Sequence, residues 1–265
     1  MIFDTVAKQI PKVAVILGNG PSLRGFDFAK ELEGFDTFGM NAACRYWHTI
    51  GWYPTYYASL DPAQSFSLKE EIAELVRNKE YYGINAFLLR QNIVTYLNIP
   101  KGSDYVINYE FWIVKNKYHT LMQSNRMTTG ALTTLWAATL GYKRLILLGM
   151  DAHFPAGHEK SLLIARDPKS LANKFSYTKQ VQIEEPSAEN ANYFFDGYYK
   201  KGDRLFTSAE DDKKNGDQAQ YESWLFIPRA MQKFGVDVIN ANYNSMIDIF
   251  SKCTWSEAKE KCERR

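Results

Sequence analysis

The sequence predicts an α/β domain: a doubly wound, Rossmann-like, mostly parallel sheet with a lid-like insertion before its last core strand. Three observations carry that prediction. Short apolar runs recur along the chain, at Val13-Ala-Val-Ile-Leu17, Leu145-Ile-Leu-Leu148 and, with one Asp, Val236-Asp-Val-Ile239. Runs of this kind read as central strands of a parallel sheet, apolar throughout because both faces are covered. Each run stops at a small or polar residue: Gly18, Gly149 and Asn240. Helix-patterned segments alternate with the runs, as crossover connections between parallel strands require.

Taken in order, Thr37-Phe-Gly-Met40, Tyr56-Tyr-Ala-Ser-Leu60 and residues 87–89 and 105–107 are weaker strand candidates. Residues 67–79 have helical spacing, with Ile72, Leu75 and Val76 on one face and Ser67 as the cap. Residues 129–140 and 224–234 are two more helices, and residues 256–265 form a charged tail with a short helix. Residues 157–220 read differently. They are rich in Asp, Glu, Lys, Asn, Ser and Tyr and poor in apolar periodicity, and Asp211-Asp-Lys-Lys-Asn-Gly-Asp217 looks like a solvated loop. A long, structure-poor insertion in one domain spanning 1–265 is often a lid or binding loop. The aromatic pairs Phe194-Phe195 and Tyr198-Tyr199, with Tyr193, argue against disorder.

Composition excludes several classes. The 265 residues are 45% hydrophobic and 23% charged, ordinary values for a globular protein. Lys plus Arg is 32 against 30 for Asp plus Glu, a net charge of +2, so duplex nucleic acid is not an expected partner. Cys44, Cys253 and Cys262 are too few and unevenly spaced for a disulfide framework or a zinc ribbon, which fits a reducing cytoplasm. Residues 1–12 lack the apolar core of a secretory signal, and no run approaches the ~20 apolar residues of a membrane span. Peripheral membrane contact and self-association stay open.

The polar residues have a telling position. Each strand delivers them at its carboxyl end: Gly18-Asn-Gly-Pro-Ser22 after the first, then Asn41, then Asp61, then Gly149 and Asp151 with His153 beyond, and finally Asn242 and Asn244-Ser245. Open α/β sheets bind ligands there. The turn containing Gly18, Asn19, Gly20, Pro21 and Ser22 allows close backbone approach, and its N–H groups suit an anion. It is neither a dinucleotide fingerprint nor a P-loop, and the alternative reading is a tight turn with Ser22 as a helix cap. Arg126-Met-Thr-Thr-Gly130 opens an apolar helix whose first turn attracts anions, with Thr128, Thr129 and Gly130 as contacts or simply as the cap. Of four histidines, His48 and His119 lie among aromatics. His153 follows a strand end and suits proton transfer. Asp151, His153 and His158 share no helix face, so no metal or other cofactor is expected.

These motifs resemble a known family. Gly18-Asn-Gly-Pro-Ser-Leu23 is similar to the opening motif of the bacterial family 42 sialyltransferases. The stretch from Arg126-Met-Thr-Thr-Gly130 through Gly141-Tyr-Lys-Arg-Leu-Ile-Leu-Leu-Gly-Met-Asp151 resembles that family's second block, and Asn244-Ser245 its terminal Asn-Ser pair. The resemblance implies transfer of sialic acid or a related nonulosonic acid from a CMP-linked donor to a glycan hydroxyl, without a metal. It matches Asn19, Asn41, Thr129 and Gly130 to donor-contact positions. Asp61 stands where the family often has Asn, and His153 where it usually has a Tyr near the leaving phosphate. The family's usual catalytic His lies in the lid region, but this chain has no His beyond His158. His153 is therefore the first candidate for proton handling and Asp151 the alternative base, with Arg126 also a catalytic candidate. Related motifs occur in diphosphokinase-like proteins. That leaves a phosphoryl-transfer enzyme using Asp61 and Asp151, or an inactive nucleotide-binding module, as the other readings.

Overall fold

A computed structural model describes residues 13–118, 128–153, 162–166, 178–208 and 220–263. Its strands are β1 (Val13–Leu17), β2 (Asp36–Met40), β3 (Tyr56–Ser59), β4 (Ala86–Leu89), β5 (Val106–Asn108), β6 (Arg144–Leu148), β7 (Leu162–Arg166), β8 (Thr178–Pro186), β9 (Arg204–Ser208), β10 (Asp237–Asn240) and β11 (Ser251–Lys252). Eight of them form one sheet in the order β11-β10-β6-β1-β2-β3-β4-β5. Every pairing in it is parallel, with Val13 opposite Arg144 and Leu17 opposite Leu148 at its centre.

Side chains alternate across a strand, so each central strand feeds two cores. In β1, Val15 and Leu17 join one core, while Ala14 and Ile16 join the other. In β6, Ile146 and Leu148 go one way and Leu145 and Leu147 the other. The first core is closed by residues of the Phe28–Glu31, Cys44–Ile50, Lys69–Arg77 and Trp255–Glu263 helices. The second is closed by the Tyr109–Lys115, Thr129–Thr139 and Ile227–Phe234 helices. The Thr129–Thr139 helix is buried from Thr129 to Ala138. It can afford two threonines there because Thr133 and Thr134 donate their hydroxyls to the carbonyls of Thr129 and Gly130, at 2.7 and 2.9 Å.

Three expectations need correction. The helix expected from Ser67 is two helices: Pro62–Ser67, capped by Asp61, and then Lys69–Arg77. Ser67 ends the first instead of capping it, because the Asp-Pro pair is the stronger start signal. The last crossover helix begins at Ile227, three residues later than its apolar pattern suggests, with a proline in its first turn. Within 157–220, the described residues are not structure-poor, since β7, β8 and β9 form a separate antiparallel sheet in that order. Among the described residues, no helix is long and apolar enough to cross a membrane.

Candidate active site

From β1 the chain builds outward through β2 to β5 on one side, and through β6, β10 and β11 on the other. The crossovers part between β1 and β6, and the crevice beyond their carboxyl ends is where such sheets bind ligands. The two strand-end loops are zipped together there. Gly18 N donates to Leu148 O at 2.7 Å and Gly20 N to Gly149 O at 2.9 Å. Glycine is needed for this approach. A Cβ on Gly20 would fall 1.6 Å from Asp151 Oδ2, and Gly149 has a φ of +71° with Leu23 2.4 Å from where its Cβ would be.

Asp151 ties three loops into a knot. Its carboxylate accepts from Ser22 Oγ and from Asn242 Nδ2, each at 2.9 Å, and its carbonyl accepts from Met246 N at 2.9 Å. Both carboxylate oxygens are thus engaged and the residue is buried, which makes it a joint of the site instead of the free base the sequence allows. Ser245 has a similar fate: buried, it donates to Met150 O at 2.6 Å and accepts from Ile247 N. Asn244 is exposed and gives its backbone N–H to Asn242 Oδ1. The terminal Asn-Ser pair therefore braces the β10 loop. His153 is half-buried, with Nδ1 3.1 Å from Asp151 O. A carbonyl only accepts, so Nδ1 carries the hydrogen and the lone pair of the neutral ring is on Nε2.

On the other side of β1, Asn41 follows β2 with a φ of +53°, a left-handed conformation that asparagine tolerates. Its carbonyl accepts from Tyr57 Oη at 2.9 Å. Asp61 follows β3 and caps the next helix through Gln64 N at 2.7 Å. Burial pushes its carboxyl above the ordinary range, against the lowering effect of the Gln64 and Ala63 N–H groups and Arg90. The β3 and β6 ends lie three strand spacings apart, about 14 Å, so Asp61 and Asp151 do not converge on one ion. Among the described residues, no three His, Cys, Asp or Glu side chains could hold a metal.

Thr128 caps the Thr129–Thr139 helix, accepting from Ala131 N at 3.3 Å and bonding Ser223 Oγ at 2.9 Å. Thr129 and Gly130 are buried behind it, with Gly130 packed against Met150 and Trp224. The helix runs back along the sheet, so its first turn lies at the same carboxyl edge. Arg126, His119 and His158 lie outside the described residues.

Sequence reasoning put residues 193–199 in a lid-like insertion but missed the contacts that hold them against this edge. Phe194 N donates to Asn19 O at 3.2 Å. Tyr193 and Tyr198 stack with centroids 3.6 Å apart, and the Tyr198 hydroxyl accepts from Asn19 Nδ2 at 3.1 Å and Gln64 Nε2 at 3.3 Å. Two arginines clamp the loop. Arg24, from the β1 turn, reaches Asn190 O, Tyr193 O and Asp196 Oδ1. Arg45 is buried, and donates to Tyr198 O at 2.8 Å, to both oxygens of Asp203 at 2.6 and 3.0 Å, and to Glu71 at 3.0 Å. Burial works against its charge, but Asp203 and Glu71 more than offset that and raise its pKa. The only sequence signal for any of this is the run of aromatics at 193–199. Beside these tyrosines, two oxygens stay unpaired: Asn19 Oδ1 and Asn41 Oδ1 are buried without a hydrogen-bond partner among the described residues.

The eight-stranded order, the switch point at β1 and the covering loop can be set against solved structures. The chain shares the fold of the Campylobacter jejuni sialyltransferases CstII and Cst-I. CstII in complex with cytidine-5'-monophosphate superposes with a TM-score of 0.50 at 19% identity, over 92% of this chain and 85% of that one. CstII in complex with CMP-3FNeuAc gives 0.50 at 20% identity, over 92% and 86%. The monofunctional α-2,3-sialyltransferase Cst-I gives 0.52 at 18% identity, over 91% and 79%. No family model matches the chain, and no curated protein matches it in sequence.

Proposed function

We propose that the chain is a metal-independent glycosyltransferase. It takes an acidic sugar, sialic acid or a related nonulosonic acid, from a CMP-linked donor and passes it to a glycan hydroxyl. One conjunction supports this reading most. The chain has the fold of CstII, a protein solved with CMP and with CMP-3FNeuAc, and beside the switch point, at the carboxyl ends of β1 and β2, Asn19 Oδ1 and Asn41 Oδ1 are buried without a hydrogen-bond partner among the described residues. The wide separation of Asp61 from Asp151 weighs against a diphosphokinase-like phosphoryl transfer, which gathers carboxylates around its cations.

In the transfer, the acceptor hydroxyl oxygen bonds to the anomeric carbon of the donor. The bond from that carbon to the phosphate oxygen breaks, its electron pair leaves on CMP, and the hydroxyl proton goes to Nε2 of His153. The hydrogen bond from Nδ1 to Asp151 O leaves Nε2 free to act as the base. The first turn of the Thr129–Thr139 helix and Arg126 meet the departing phosphate. Residues 157–220 serve as a lid over the donor. Cys44, Cys253 and Cys262 are not joined in a disulfide among the described residues, and their sparse, odd number fits a reducing cytoplasm.

CMP release from CMP-activated sialic acid, measured in EDTA with and without a glycan acceptor, tests the proposal. Release that persists under chelation is the expected result. Release abolished by EDTA would favour the phosphoryl-transfer reading, and binding without turnover would favour an inactive module.

A further inference from the structure

The Tyr198 hydroxyl lies 179 residues from Asn19 in sequence, yet it settles what Asn19 can offer a ligand. A carboxamide has two N–H donors and one acceptor oxygen. Asn19 Nδ2 points at Met40 O, 3.2 Å away, and that carbonyl can only accept. The second N–H goes to the Tyr198 oxygen at 3.1 Å. Both donors are spent inside the protein, and Oδ1 remains buried and without a partner among the described residues. Tyr198 is itself fixed: it is 1% exposed, stacked on Tyr193, and held through its carbonyl by Arg45.

We infer that Tyr198 is a positioning residue that makes Asn19 an acceptor-only contact, so that the β1 turn reads a hydroxyl or amino group of the nucleoside and not its phosphate. The inference rests on the CMP-donor reading and sharpens it. An anionic phosphate oxygen against Asn19 Oδ1 would meet another acceptor, whereas a ribose hydroxyl or the cytosine amino group brings the missing hydrogen. Asn41 Oδ1, at the end of the adjoining strand, is unpaired in the same way and extends the acceptor surface. Leaving a buried acceptor unsatisfied is costly, so the site gains most from a ligand that supplies those donors. The phosphate is left to the helix that starts at Thr129.

The test is calorimetric titration of CMP, 2′-deoxy-CMP, 3′-deoxy-CMP and UMP against the wild type, Tyr198→Phe and Gln64→Met. The two deoxy analogues each lack one hydroxyl donor of CMP, and UMP carries a carbonyl in place of its amino group. In the wild type, at least one analogue should bind about 10-fold or more weakly than CMP. In Tyr198→Phe the carboxamide keeps a single anchor, CMP binding should weaken, and that penalty should shrink to below about threefold. Gln64→Met removes the other hydrogen bond to the Tyr198 oxygen without touching Asn19, so it should keep the wild-type penalty. Melting curves of all three proteins report packing separately. A Tyr198→Phe variant that melts earlier but keeps the wild-type penalty overturns the inference while leaving the CMP reading intact. A wild type that binds CMP and all three analogues equally also overturns it. Failure of the wild type to bind CMP at all removes the nucleotide reading, and the inference with it.

Discussion

His153→Asn should lower turnover by ~10²–10⁴-fold while nucleotide binding stays within about twofold. The hydrogen bond to Asp151 O orients the ring and leaves Nε2 as an acceptor facing away from that contact. Asparagine keeps polarity and size close to the original, but it cannot take a proton. Asp151 is a poor substitute, because Ser22 and Asn242 already occupy its carboxylate. The measurement is kcat with a CMP-activated nonulosonic acid, alongside Kd for CMP. A loss of less than about tenfold in kcat would rule out base catalysis by His153.

Arg45→Met should cost about 3–5 kcal/mol of stability, the usual range for removing one partner of a buried ion pair. For a chain of this size, that corresponds to a fall of roughly 6–20 °C in melting temperature. The guanidinium binds Asp203 through two hydrogen bonds and also satisfies Glu71 and the Tyr198 carbonyl. Methionine fills part of the volume but leaves the buried Asp203 carboxylate without its cation. Thermal and urea melts read the effect, and Asp203→Leu added to Arg45→Met should recover part of the loss. A cost below about 1 kcal/mol would mean that the pair behaves like an exposed one. It would also mean that the loop carrying Tyr198 is anchored by its aromatic packing.

The sheet was legible because its central strands are buried on both faces and so read as short apolar runs. The site was legible only in outline. Gly18-Asn-Gly, Asn41, Asp61 and Gly149 mark strand ends locally, and the doubly wound pattern says that such ends converge. What each residue does there depends on partners far away in sequence. Asp151 is spoken for by Ser22, 129 positions earlier, and Arg45 finds Asp203 158 positions later. No local pattern carries those pairings, which is why Asp151 reads as a base and Tyr198 only as a sign of order. Two misreadings had signals that were present. Asp61-Pro62 is a helix start, and Val181 and Ile183 alternate with polar residues along β8, the pattern of a half-buried antiparallel strand.

The central claim is that a cytidine nucleotide binds beyond the carboxyl ends of β1 and β2, under the loop that carries Tyr193 and Tyr198. Amide hydrogen exchange with and without saturating CMP tests it directly. Slowed exchange concentrated in residues 18–23, 41–43 and 193–199 is the expected result. Exchange unchanged everywhere would contradict it. So would protection that spares residues 18–23 and 41–43 and falls on Arg45, His48, Glu71, Phe195 and Lys200, which line another cavity of about 540 Å³.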